Sequence, residues 1–143
     1  MAPGTAGDAM AMAKTMIVAG IGCKRGAAAH DVEAALRAAL AHAGITAGAL
    51  DAIATIVGKN SEPGIVTIAK KFGVRVVSLP PSKLKVASDR AATRSPRVLA
   101  LKGVPSVAET AALAAAGPAA RLVATRRSVG GATCALAASG DAP

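Results

Sequence analysis

Seven consecutive residues, GIGCKRG at 20–26, set three glycines, a thiol and two cations side by side. Such a group supports three kinds of chemistry. Cys23, next to Lys24 and Arg25 and just ahead of a helical pattern, has the neighbours that favour a thiolate. No histidine and acid stand in a pattern that would complete a nucleophilic site, and a small, partly buried residue in a tight turn is the better account of Cys23. A dinucleotide loop needs GxGxxG, whereas Gly20, Gly22 and Gly26 are spaced GxGxxxG, and the second strand-like run ends in Val57-Gly58-Lys59 with no acid to hold a ribose. A phosphate loop ending in GK and a hydroxyl residue is missing as well. The third reading, an anion cradle, uses all seven residues. Glycines let backbone amides converge, a following helix N-terminus adds positive potential, and Lys24 and Arg25 supply charge.

The remaining reactive residues are sparse. Glu62 and Glu109 are the acids placed where proton transfer could take place. Glu62 also suits the first turn of a helix, where the dipole favours an acid. Glu109, three residues after Ser106, completes a capping box. Arg126 and Arg127 open the turn-like stretch RRSVGG, where they would either clamp a carboxylate or solvate a hairpin tip. Cys23 and Cys134 form no CxxC pair, and His30 and His42 fall in or beside the first helical run, so neither a metal site nor a cofactor is expected.

These side chains need a frame, and the chain alternates strand-like and helix-like segments as an α/β layered domain does. TMIVAG at 15–20 reads as a buried strand. A helix over 28–43 follows, with Val32, Leu36 and Leu40 on one face and Gly44 as its C-cap. After a short turn capped by Thr46 come a strand at 52–58, a helix opening at Pro63 and a strand at 74–79. Pro80-Pro81 begins a polar, basic connection through Arg94, and 95–102 fits helix or strand equally. Ser106 to Gly117 is a capped helix, and strands at 121–125 and 132–137 form a hairpin that makes a mostly parallel sheet mixed. Residues 1–14 and 139–143 read as tails around one domain at 15–138.

At 143 residues the chain is long enough for one core without disulfides or metals. Its net charge of +9 favours an anionic partner. Phe72 is the one aromatic residue and no block of five cations occurs, which argues against single-stranded nucleic acid and any specific nucleic-acid partner. No apolar run reaches a membrane span, and Thr15–Ile21 is too short for a signal sequence, so a cytoplasmic location is expected.

The segments GIGCKRG, GKNSEPGIVTIAKKFGV, GVPSVAETAALAAAG and RLVATRRSVGGATCALA follow one another in order. With them the chain resembles the CobE/CbiG C-terminal domain family of cobalamin (vitamin B12) biosynthesis, in its stand-alone form, over residues 15–138. The resemblance implies a single three-layer α/β/α domain. It also implies binding of a precorrin or corrin intermediate, a flat ring carrying acetate and propionate arms, for handover or support of a pathway enzyme. Fused relatives, which carry a separate N-terminal region, open a δ-lactone on a cobalt-bound ring intermediate and release a two-carbon aldehyde; a ring-lactone hydrolase is therefore the alternative. Gly20, Gly22, Cys23, Arg25 and Gly26 match the first family motif, with Lys24 where a second arginine is common. Lys59 and Glu62 match the second, and Glu109, behind Ser106, the third. Arg126, next to Arg127, stands where a lysine is frequent. These are the ligand-binding residues the resemblance implies; it identifies no catalytic residue. Other pathway enzymes and a second copy of the chain are the macromolecular partners left open.

Overall fold

The computed structural model describes residues 16–91 and 106–139. The first strand, β1, spans Ile17–Cys23. The sequence reading stops it at Gly20, yet it runs on through both glycines because β5 pairs with it along its whole length, from Ile17 opposite Ala138 to Cys23 opposite Ala132. Ladder pairing outweighs the poor strand propensity of glycine.

Helix α1 (Ala29–Ala43) buries the expected stripe of Val32, Leu36 and Leu40, joined by Ala35 and Ala39. Gly44, at φ 70°, turns the chain left-handed, so that its amide and that of Ile45 bond back to Ala41 and Leu40. A short 3-10 turn (Ala47–Ala49) leads into β2 (Ala52–Ile56), all five residues of which are buried. Helix α2 (Pro63–Phe72) starts on proline, as expected, and β3 (Arg75–Leu79) follows.

The connection after Pro80 is a helix, α3 (Pro81–Ala87), extended by a 3-10 turn at Ser88–Arg90. Two prolines and two lysines hid it, although Pro81 suits a first turn and Leu84 and Ala87, three apart, are its buried residues. The ambiguous stretch 95–102 and the two tails, apart from Ser139, lie outside the described residues. Helix α4 (Val107–Ala116) begins at Ser106, whose hydroxyl accepts the Glu109 amide. Strands β4 (Arg121–Val129) and β5 (Ala132–Ala138) form the expected hairpin, both longer than expected.

The sheet order is β3-β2-β1-β5-β4. Pairing is parallel from β1 to β3 and antiparallel on both sides of β5, so four strands point one way and β5 alone opposes them. The alternation of β1 builds the layers. Ile17, Ala19 and Ile21 pack with the buried faces of α1 and α2, while Val18 meets Ala111 of α4 on the other side. The result is the three-layer α/β/α domain that the family resemblance implies. Helix α4 lies directly on β1: a Cβ at Gly20 would stand 1.9 Å from the Ala108 carbonyl oxygen. The chain steps outward from β1 to β3 under α1 and α2, then crosses behind α3 and α4 to β4 at the far edge. That winding lines up the carboxyl ends of β1 to β4 along one edge, where open α/β sheets take ligands.

Candidate functional site

The carboxyl edge is assembled from the loop after β1, the loop after β2, the β4–β5 turn and the starts of helices. Lys24 and Arg25 stand exposed in the first loop. The Lys24 amide donates to Gly131 O at 3.0 Å, which ties this loop to the hairpin turn. Gly130, at φ 55°, takes the left-handed conformation that favours glycine, and the Asp31 carboxylate and the Lys24 side chain pack against this turn. The Gly26 amide donates to Oε1 of Glu62 at 2.9 Å, which joins the loop after β1 to the start of α2. Lys59 sits in the turn between β2 and α2, close enough to Cys23 for its charge to act on the sulfur.

Helices α1 and α2 begin at this edge because they follow β1 and β2 directly. Helix α4 begins there too, since the Val107 side chain lies 3.7 Å from where a Gly22 Cβ would be. Three helix N-termini therefore add positive potential to Lys24, Arg25 and Lys59. Val57, first in the turn after β2, is 55 % exposed and gives the edge an apolar side chain. The sequence pattern puts Val57 inside the strand, whereas β2 ends at Ile56; the signal for its exposure is an apolar residue immediately before the turn glycine Gly58.

The other expected residues play different parts. Gly20, Gly22 and Cys23 are ladder residues of β1, and the amides of Lys24, Gly26 and Ala27 have partners within the fold. Side-chain charge and helix termini, rather than a ring of free amides, are thus what this edge offers an anion. The Cys23 thiol is pushed up from its ordinary range, chiefly by burial; the Lys59 cation opposes the shift and the Glu62 carboxylate adds to it. At neutral pH it is a protonated thiol, so the thiolate reading of Cys23 finds no support.

Ser106 and Glu109 are buried in the first turn of α4, with Oε2 of Glu109 accepting the Arg126 amide at 3.0 Å. Arg126 and Arg127 belong to β4 and not to the turn. Arg127 faces Cys134, whose side chain is in the α1–α2 core, so the two neighbouring arginines point to opposite faces and do not form one clamp. The Arg127 Nε is buried without a hydrogen-bond partner among the described residues.

No group of three metal-binding side chains occurs among the described residues, and no described helix is long and apolar enough to cross a membrane. Two cavities lined by described residues lie away from the carboxyl edge. One, of about 250 Å³, is beside Arg37, Lys71 and Phe72. The other, of about 220 Å³, is between α3 and the end of α4.

Residues 17–137 match the family described as Cobalamin synthesis G C-terminus. Protein CobE of Sinorhizobium sp is 36% identical over 121 residues, covering 85% of this chain and 79% of the relative. The crystal structure of CobE, a protein from the cobalamin (vitamin B12) biosynthetic pathway, matches with a TM-score of 0.83 at 37% identity, over 89% of this chain and 96% of that one. Cobalamin biosynthesis protein chiG from Agrobacterium tumefaciens str. C58 matches with a TM-score of 0.69 at 41% identity, over 88% and 100% of the two chains. A cobalamin biosynthesis protein G homolog from Sulfolobus solfataricus shares the fold, with a TM-score of 0.65 at 22% identity over 87% of this chain and 37% of that one.

Proposed function

This chain belongs to the Cobalamin synthesis G C-terminus family and is a protein of cobalamin biosynthesis, and from that premise we propose that it binds a polycarboxylated precorrin or corrin ring at the carboxyl edge of its sheet, for handover to or support of another pathway enzyme. The observation that carries the reading is that Lys24, Arg25, Lys59, the exposed Val57 and three helix N-termini all lie along one edge of the sheet. A ring with carboxylate arms and an apolar face has the matching pattern of charge at its rim and hydrophobic surface within.

Titration with hydrogenobyrinic acid, a metal-free corrin, followed by visible absorbance and co-elution, tests the proposal. Changing Lys24 and Arg25 together to alanine is expected to weaken binding by about two- to thirtyfold, since each exposed ion pair is worth roughly 0.2–1 kcal/mol, and the helix termini left in place keep the rest. Added salt is expected to weaken it further. A folded protein that takes up no corrin overturns this reading in favour of the lactone hydrolase. Glu62 is the acid at the edge on which that enzyme would depend, because it is partly exposed whereas Glu109 is wholly buried. Aldehyde release that disappears in E62Q would then be the decisive assay.

A further inference from the structure

Strand β4 leaves the regular ladder twice. Leu122 faces Ala137 and Ala124 faces Leu136, so Val123 is an extra residue. Arg127 then faces Cys134, so Thr125 and Arg126 together oppose the single residue Ala135. A bulge of this kind leaves backbone groups outside the ladder and changes which side chains face which way.

The second bulge changes the placement of the two arginines. Ala124 packs in the α1–α2 core. Unbroken alternation from Ala124 would send Arg126 to that same side and Arg127 to the side of α4. The bulge reverses this: Arg127 joins Cys134 on the α1–α2 side, and Arg126 moves to the side of α4. The amide that the bulge frees, that of Arg126, is the one that Oε2 of Glu109 accepts. Glu109 is wholly buried in a helix otherwise made largely of alanine, and burying a carboxyl group is costly unless its bonds are made.

We infer that Glu109 is a positioning residue that holds the β4 bulge and so fixes Arg126, rather than Arg127, as the cation beside the first turn of α4. The inference rests on the reading of this edge as a ring-binding site in one respect only, that Arg126 contributes to binding.

A double-mutant cycle on the intact chain tests it, with hydrogenobyrinic acid as the probe and amide hydrogen exchange read by NMR alongside. In the unmodified protein the Arg126 amide is expected to exchange slowly; fast exchange there overturns the inference before any variant is made. E109L, which keeps the bulk and removes the acceptor, is expected to free that amide and weaken the probe by as much as R126A alone does, up to about fivefold, the weight of one cation against a ligand carboxylate. Adding R126A to E109L is expected to cost nothing more. E109Q, with one acceptor oxygen left, is expected to restore both slow exchange and affinity. If E109L costs as much in the R126A background as in the unmodified chain, Glu109 acts on the fold as a whole and the positioning role is overturned. If the unmodified protein binds no probe while Arg126 is protected in E109Q and exposed in E109L, the ring-binding reading has failed and the role of Glu109 in the bulge stands.

Discussion

Replacing Gly20 by alanine separates a ligand-contact role for the first motif glycine from a packing role. A Cβ at this position would lie 1.9 Å from the Ala108 carbonyl oxygen, 2.6 Å from the Ala112 amide nitrogen and 2.9 Å from the Ala112 Cβ. Comfortable contacts are about 3.5–4.0 Å, so α4 has to retreat by roughly 1.5 Å. Two of the three clashes are with helix backbone, which no rotamer change relieves. The retreat also lifts Ala108, Ala111, Ala112 and Leu113, all essentially fully buried, from the sheet. Overpacking of a core costs about 1–3 kcal/mol, and a clash with backbone on this scale places G20A at the upper end, about 3 kcal/mol. Against a total stability of roughly 5–15 kcal/mol that is a large loss.

Urea denaturation measures it. With an m-value of about 1–3 kcal/mol/M, the midpoint of G20A is expected to fall by about 1–3 M with little change in m. G26A is the control: Gly26 has φ 74° and nothing within 4 Å of a new Cβ, so only backbone strain of about 1–2 kcal/mol is added. A midpoint for G20A equal to that of the unmodified protein, or a larger loss in G26A than in G20A, would refute the packing argument. A ligand-contact glycine would give the opposite pattern, with stability kept and corrin binding lost.

Thiol reagents are expected to modify Cys23 slowly at neutral pH and faster as pH rises past 9.0, the ordinary thiol value above which burial has pushed it. K59A is expected to slow it further by removing the cation that opposes the shift, and a Cys23 faster than a free thiol at pH 7 would contradict this. Cys134, fully buried and shifted strongly upward, is expected to react only on unfolding. Glu33 lies below its ordinary value of 4.5 because it bonds Lys71 and Arg37. A lowered carboxylate stabilises the fold above its unfolded value and loses that contribution as pH falls through its folded one. The stability gap between the unmodified protein and E33Q is therefore expected to be level above 4.5 and to close below it, shrinking in salt; a gap that widens in acid would refute the assignment.

What the sequence reveals and what it conceals divide along the range of the forces involved. Helix α1 is legible because Val32, Leu36 and Leu40 recur at helical spacing and Gly44 ends them, both local signals. The Ser106 cap is local in the same way. Helix α3 is hidden because seven residues show too little of a stripe, with Leu84 and Ala87 its only buried members. Gly20 looks like the end of a strand and Gly22 like a loop residue because nothing nearby in sequence shows that α4, nearly ninety residues later, will press on β1. The split of Arg126 from Arg127 is concealed for the same reason, since a bulge is set by the partner strand and by Glu109.

The character of the edge bears on handover as against storage. Its cations are exposed or half-exposed, and an exposed ion pair yields roughly 0.2–1 kcal/mol. Three such pairs and three helix termini, at roughly 0.3–1 kcal/mol each, sum to about 1.5–6 kcal/mol. A ligand kept permanently would need enclosure, whereas Lys24 and Arg25 stand exposed at this edge. Charge at an open edge gives fast, salt-sensitive capture and fast release. Those are the kinetics that transfer of a polyanionic ring between proteins demands, so corrin dissociation from this chain is expected to be rapid and accelerated by salt. A complex that survives gel filtration unchanged in high salt would mean that an apolar enclosure, and not the cationic edge, holds the ring.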